Sequence, residues 1–407
     1  MYGTAFDLGT TTVVGYLCNL ETGKVTGTLS ESNAQIECGL DVLSRVSFRN
    51  ASKENALKLA SLLGDQVCRM ANELISGIKS GVTDAGKSPL KAVLVGNPVI
   101  MGSVADYDFE SAGIEAVRIP GIGHYVGADA LAASYVTEKD RKGRNIVIVD
   151  IGTNTEIILL SNGKKTATSA AAGPAMEGGN LVCGMRGEEG AIEFVKLTDA
   201  VSQNRDIIFK VIGDVAPTGI CGSGYFFLLK ALLEAGVINN DGYLISKEEA
   251  LRANVPGRIV ARIHENNDSD PASEKGRFFA LTESIAIYRE DIRNLQLAIS
   301  AIKTGIDIVI NEAGLTESVI DNVFIAGAFG NKISVDSLTA VGMLPGTLYD
   351  KAIRVGNIAG LGACLFMFDE VKITDAINLK KEILTVSLAD HPDFQRLFME
   401  NMNFNII

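Results

Sequence analysis

The chain has no tryptophan, only three histidines and only six cysteines among 407 residues, and its 37 basic residues are outnumbered by 49 acidic ones. Each shortage removes a class of function. His124, His264 and His391 are widely separated, which leaves little for a histidine metal centre or a Ser-His triad. Cys18, Cys38, Cys68, Cys183, Cys221 and Cys364 contain no C-x-x-C pair, so neither a disulfide framework nor structural zinc is expected. Most of these thiols should be small buried hydrophobes. The net charge of −12 without a basic stripe argues against nucleic-acid binding. No apolar run reaches the ~18 residues a membrane span needs; Val93–Val99 is broken by Gly96, Asn97 and Pro98. The start, Met1 to Asp7, lacks a basic leader region and runs directly into a strand-like pattern. With 47% hydrophobic residues, the expectation is a soluble, cytoplasmic, mixed α/β protein of two or three lobes.

One short pattern occurs twice. Phe6-Asp7-Leu8-Gly9-Thr10-Thr11-Thr12 followed by an apolar strand matches Val149-Asp150-Ile151-Gly152-Thr153-Asn154-Thr155 followed by another, 143 residues later. Both read as strand, tight turn, strand. Glycine at the turn lets the backbone approach a ligand, and successive threonines offer hydroxyls and N–H groups to phosphate oxygens. An aspartate at the strand end can hold hydrated Mg²⁺, an ion that keeps several waters and takes one or two carboxylates. A single D-x-G-T turn also suits an ordinary hairpin in which the aspartate caps its own turn. Duplication at domain-scale separation favours two similar lobes with phosphates clamped between the turns. No G-x-x-x-x-G-K-[ST] occurs, so this is not a P-loop protein.

A third element, Asn322-Val323-Phe324-Ile325-Ala326-Gly327-Ala328-Phe329-Gly330-Asn331, reads as a buried strand entering a small-residue turn, either a ring-binding surface or a plain strand-to-helix loop. Val126–Ser134 and Val355–Cys364 are small-residue stretches of helical length, suited to close crossing. Gly222-Ser223-Gly224 has no histidine nearby in sequence and reads as a helix-start turn. The segment 290–305 carries an apolar stripe through Ile292, Leu295, Ala298, Ile299 and Ile302, with Gln296 and Lys303 expected on its solvated side.

The order of these pieces resembles the acetate and sugar kinase, heat-shock chaperone and actin ATPase superfamily, with its phosphate 1, connect 1, phosphate 2, adenosine and connect 2 segments. Ala172-Gly173-Pro174-Ala175-Met176-Glu177-Gly178-Gly179, Cys183-Gly184-Met185-Arg186, Gly219–Gly224, Asp291–Ala298 and Phe324–Asn331 narrow it further. They resemble the ATPase region of reductive activators of corrinoid proteins, and the likeness runs over essentially the whole chain.

The resemblance implies two ribonuclease-H-like α/β lobes with a nucleotide cleft between them. The first covers 1–141 joined by 357–407, the second 142–356. It implies an ATPase that drives reduction of Co(II) corrinoid to Co(I) on a corrinoid protein of a methyltransferase or O-demethylase system. A homodimer is expected. The electron is expected from an iron–sulfur donor domain or partner, since this chain has no ferredoxin-type cysteine run. Asp7 and Asp150 are expected to position Mg²⁺ through water and orient the attacking water, with Asp129 a second water-orienting carboxylate. Gly9, Thr10, Thr11 and Thr12 are expected around the β-phosphate of ATP, and Gly152, Thr153, Asn154 and Thr155 nearer the γ-phosphate. Glu177 and Gly178 are expected toward ribose or phosphates, and Gly327, Ala328, Phe329 and Gly330 along the adenosine.

Three rival readings stay open. A small-molecule kinase would need an acceptor pocket with a base. A dehydratase-activator ATPase would hold an interface iron–sulfur cluster on cysteines such as Cys183 and Cys221. A docking module would bind nucleotide with negligible hydrolysis.

Overall fold

The computed structural model describes residues 1–77, 90–123, 125–198, 204–265, 276–330 and 332–405, so His124 and Asn331 lie outside the described residues. Its contacts separate two compact units. One is Met1–Asp150, Glu156–Ser169 and Val355–Ser387; the other is Ile151–Thr155, Ala170–Arg354 and Leu388–Ile407.

The first unit opens with strands β1 (Tyr2–Leu8), β2 (Thr12–Asn19) and β3 (Lys24–Ser32), then helices α1 (Val42–Ala51) and α2 (Lys53–Ser76). Next come β4 (Leu90–Gly96), α3 (Pro98–Ser103), β5 (Ile114–Arg118) and α4 (Ala128–Asp140). The sheet order is β3-β2-β1-β4-β5, antiparallel across the first three strands and parallel from β1 to β4 to β5. β1 is central, and Gly3–Phe6 and Leu8 are buried, as a strand covered on both faces requires. Leu63, Val67, Met70, Ala71 and Leu74 recur at helical spacing along α2 and close over Phe6, Leu8, Leu94 and Ile100.

The repeated hairpin supplies β6 (Ile146–Asp150) and β7 (Thr155–Leu160), followed by β8 (Lys165–Ala170). β6 pairs antiparallel with β7, and β8 pairs in parallel with Ile383–Thr385. This grouping differs from a boundary drawn at 141/142. β6 packs on α4 and β8 is tied to the strand near 384, so both stay with the first unit. Residues 388–407 instead go with the second unit, where Gln296 Nε2 donates to the Met402 carbonyl and Ser300 Oγ to that of Phe398.

The two small-residue stretches form α4 and the helix Ile358–Phe368, and they do cross closely. A β-carbon on Gly362 would lie 2.6 Å from the Ala132 carbonyl oxygen, and one on Gly360 would lie 2.5 Å from the Tyr16 hydroxyl.

In the second unit, strands Ile207–Val211, Ala191–Leu197 and Gly219–Ile220 form one small sheet. Strands Ile263–Glu265, Arg277–Ala280 and Ala286–Tyr288 form another. Gly222–Glu234 is a helix starting at the Gly-Ser-Gly turn, as read from sequence. The helix Arg289–Glu312 buries the expected stripe. Gln296 departs from expectation: it is 3% exposed, because the Asp241 and Met402 carbonyls take its amide protons. Lys303 pairs with Asp307 one turn on. Among the described residues, no helix is long and apolar enough to cross a membrane.

Candidate functional site

The first repeated turn is held from three directions. The Gly9 N–H donates to the Thr12 carbonyl at 3.0 Å, and a β-carbon on Gly9 would sit 2.6 Å from that same oxygen. Only glycine closes this turn so tightly. Asn33 Nδ2 donates to the Gly9 carbonyl at 2.8 Å, and the Asn33 N–H to that of Thr11 at 2.8 Å. Asn97 Nδ2 donates to Thr10 Oγ1 at 2.9 Å.

Asn97 also caps α3, its Oδ1 accepting from the N–H groups of Val99 and Ile100. The same device appears at Asn357. Its Oδ1 accepts from the Gly360 N–H at 2.6 Å and caps helix Ile358–Phe368, while its Nδ2 donates to Asp7 Oδ2 at 2.7 Å. Both asparagines end a Val-Gly-Asn triplet, Val95–Asn97 and Val355–Asn357, at a strand-to-helix corner. Sequence reading missed this second repeat, and the triplet itself was the available signal. Many residues cap a helix with an oxygen, but an amide also leaves two protons for a neighbour. Asn357→Asp is therefore expected to keep the cap but set a second negative charge against Asp7. Thermal unfolding should show a loss of about 1–2 kcal/mol that is larger at about pH 8 than at about pH 6.

Around Asp7 the first unit gathers four carboxylates. Asp7 is the penultimate residue of β1, Asp129 lies in the first turn of α4, and Asp150 ends β6 opposite Glu156 on β7. Burial drives the Asp7 carboxyl up to about 6, opposed by the Asn357 hydrogen bond. Asp129 rises to about 7, through burial and then the charge of Asp7; Ala130 N–H donates to its Oδ1 at 2.7 Å and opposes the rise. Asp150 rises to about 8 through burial and the charges of Asp7 and Asp129. Glu156, 7% exposed, is held well above the carboxylate range by burial and by Asp129 and Asp150. Its donor is Ser169 Oγ at 3.4 Å. Among the described residues, none of the four has a Lys, Arg or His partner, and no hydrogen-bond donor reaches Asp150.

Four acidic groups that feel one another, without a cation, are suited to a divalent ion. Among the described residues no three His, Cys, Asp or Glu side chains are arranged to hold an ion directly. The chemistry of the donor set therefore fits a hydrated Mg²⁺ touched by one or two carboxylates and otherwise through water. Glu156 was not expected from the sequence. A charged residue inside a strand whose every position is buried is the signal that marks it.

The second repeated turn, residues 151–155, belongs to the second unit. The Ile151 N–H donates to the Ala326 carbonyl, the Gly173 N–H to that of Thr153 at 3.0 Å, and Thr153 Oγ1 to Glu177 Oε1 at 2.9 Å. Thr153, Glu177 and the Ala326–Gly327 corner are thus tied together. Gly178 has φ +84°, and a β-carbon there would lie 2.4 Å from the Met185 carbonyl. The Phe329 ring is buried edge-on against Phe226 at 5.4 Å and is not free to stack on a ligand.

Cys221 Sγ and Cys183 Sγ each donate to a backbone carbonyl, of Ile192 and Ser284 respectively, rather than facing each other. Cys18, Cys68, Cys221 and Cys364 are buried, as expected of structural thiols.

Two family models match. The C-terminal domain of RACo, the ASKHA domain, covers residues 144–406, and the RACo middle region covers residues 2–105. The corrinoid activation enzyme RamQ of Eubacterium limosum is 33% identical over 434 aligned positions, spanning 99% of this chain and 70% of that protein. The Co(II) methylated amine-specific corrinoid protein reductase of Methanosarcina barkeri is 25% identical, spanning 96% and 74%. A solved structure of a reductive activator for a corrinoid, iron–sulfur protein superposes with a TM-score of 0.80 at 26% identity, spanning 99% of this chain and 66% of its own. The chain therefore spans about two thirds to three quarters of these relatives' lengths. The fold is the actin-like ASKHA fold, and with both family models matched the chain belongs to the RACo family of corrinoid activators.

Proposed function

We propose that this chain binds and hydrolyses Mg-ATP and couples that cycle to reduction of Co(II) corrinoid to Co(I) on a corrinoid protein. The observation that carries the reading is the cluster of Asp7, Asp129, Asp150 and Glu156, all raised by burial, the last three also by neighbouring carboxylate charge, and lacking a protein cation among the described residues. Asp7 and Asp150 hold the magnesium through water, and Asp129 orients the attacking water. The hydroxyls and N–H groups of Gly9–Thr12 and Gly152–Thr155 meet the phosphates, Glu177 and Gly178 lie toward the ribose, and the backbone of residues 327–330 lies along the adenosine. When bound, magnesium neutralises phosphate charge and orders water for phosphoryl transfer. The family relatives, which act on corrinoid proteins, support the partner assignment.

The electron comes from an iron–sulfur donor, and the activator works as a homodimer in the cytoplasm. Nucleotide drives the transfer only to the extent that it binds one conformational state more tightly than the other. The test mixes the chain with a Co(II)-corrinoid protein and a reduced iron–sulfur donor, following ATP hydrolysis and the Co(I) absorption band. Turnover should rise with the corrinoid protein, and Co(I) should require both ATP and donor. Absence of ATP hydrolysis with and without every corrinoid protein tried would overturn the reading.

A further inference from the structure

In the first unit a hollow of about 570 Å³ lies between the C-terminal end of β5, the loop that follows it and the starts of α3 and α4. Its lining among the described residues includes Pro98, Met101, Ile119 and Pro120, together with two cations, Arg118 and Lys380, and no carboxylate. In a chain of net charge −12 that combination is unusual. Arg118 is fixed in place: Nη2 donates to the Val104 and Tyr107 carbonyls, and the guanidinium lies 5.3 Å from the Phe109 ring centroid. Its Nε and Nη1 carry no partner among the described residues, and Lys380 has no hydrogen bond or ion pair there either.

A guanidinium with an unused edge matches the planar oxygens of a carboxylate or phosphate, and an ammonium adds a point charge. The volume is that of a small-molecule site, and the apolar lining accommodates a short hydrocarbon body. From this geometry we propose that the hollow binds a small organic anion, a carboxylate or phosphate monoester with an apolar portion of a few carbons. Its floor includes Gly96 and Ala128, which adjoin Asn97 and Asp129, so occupancy braces the segment that carries both.

The test is a calorimetric titration of the full chain with butyl phosphate, butyrate and neutral 1-butanol, with and without Mg-ATP. At least one anion should bind saturably and remain bound in Mg-ATP, while 1-butanol does not bind. Which anion binds identifies the headgroup. Lys380→Met, which breaks no hydrogen bond or ion pair among the described residues, should weaken binding about tenfold, and Arg118→Met with Lys380→Met should abolish it. ATP affinity should be unchanged in both variants. The proposal is overturned if neither anion saturates by about 10 mM. It is equally overturned if the variants bind as tightly as the parent, if 1-butanol binds as well, or if Mg-ATP displaces the anion. None of these readouts requires ATP hydrolysis, so failure here is separate from failure of the ATPase assignment.

Discussion

Asp150→Asn should raise the thermal midpoint of the nucleotide-free protein while lowering ATP turnover by about a hundredfold or more. The two effects share one cause. The Asp150 carboxyl stands at about 8 against an ordinary 3.8, so between those values the folded chain holds a proton that the unfolded chain has released. A raised carboxyl of this kind is most compatible with folding below the ordinary value. That advantage is lost as the pH climbs through the folded value. Asp7 and Asp129, at about 6 and about 7, act in the same direction.

The nucleotide-free protein should therefore lose stability as pH rises from about 4 to about 8. The asparagine variant should be more stable by about 1–3 kcal/mol near pH 8, a discounted figure because the carboxyl keeps partial contact with water. That corresponds to roughly 2–5 °C by differential scanning fluorimetry, shrinking at lower pH. Saturating Mg-ATP should remove most of the pH dependence in the parent. A midpoint in the variant equal to or below the parent's at every pH would show that the cluster carries no repulsive strain.

Gly127→Ala should be severe at a position whose backbone any residue accepts. Its φ of −85° and ψ of −170° are ordinary extended values, so no conformational penalty applies. The obstacle is space. The added carbon would stand 2.4 Å from Asp129 Oδ1, 2.5 Å from the Gly96 carbonyl oxygen and 2.6 Å from Asn97 Cα, and two of these three are backbone atoms. Relief requires the start of α4 to move away from the β4–α3 corner, displacing Asp129 from Asn97. Expected are a stability loss of about 2–3 kcal/mol in urea unfolding and a fall in kcat of about 10- to 100-fold, from misplacement of positioned groups. Gly346→Ala, with nothing within 4 Å of the new carbon, is the control and should stay within about 0.5 kcal/mol of the parent.

The parts of this site legible in sequence were those written as short contiguous patterns. Asp7 and Asp150 with their turns stood out because a whole strand–turn–strand segment was duplicated. The crossing helices announced themselves through runs of glycine and alanine. What stayed hidden depended on partners far apart in the chain. Asn357 reaches Asp7 across 350 residues, and its amide has no local signature beyond helix capping. Glu156 looked like a strand residue because the alternation that exposes one face is absent from a strand buried on both. Gln296 was expected in solvent because a polar side chain on a helix usually points there; the carbonyls that satisfy it come from residues 241 and 402. The unit boundary moved for a similar reason, since a three-residue strand at 383–385 carries little periodic signal yet decides where β8 belongs.

The first unit is assembled from three stretches of chain, and the last, Val355–Ser387, contains both the Asp7 partner and the helix that packs on α4. Synthesis on the ribosome runs in one direction, so residues 170–354 must all emerge before that stretch does. At about 5–20 residues per second this is a delay on the order of 10–40 s. During that interval β1 and its acidic neighbours exist without the helix that covers them. Nascent-chain chaperoning of this protein therefore has a defined window, opened by the N-terminal strands and closed only when the final segment docks.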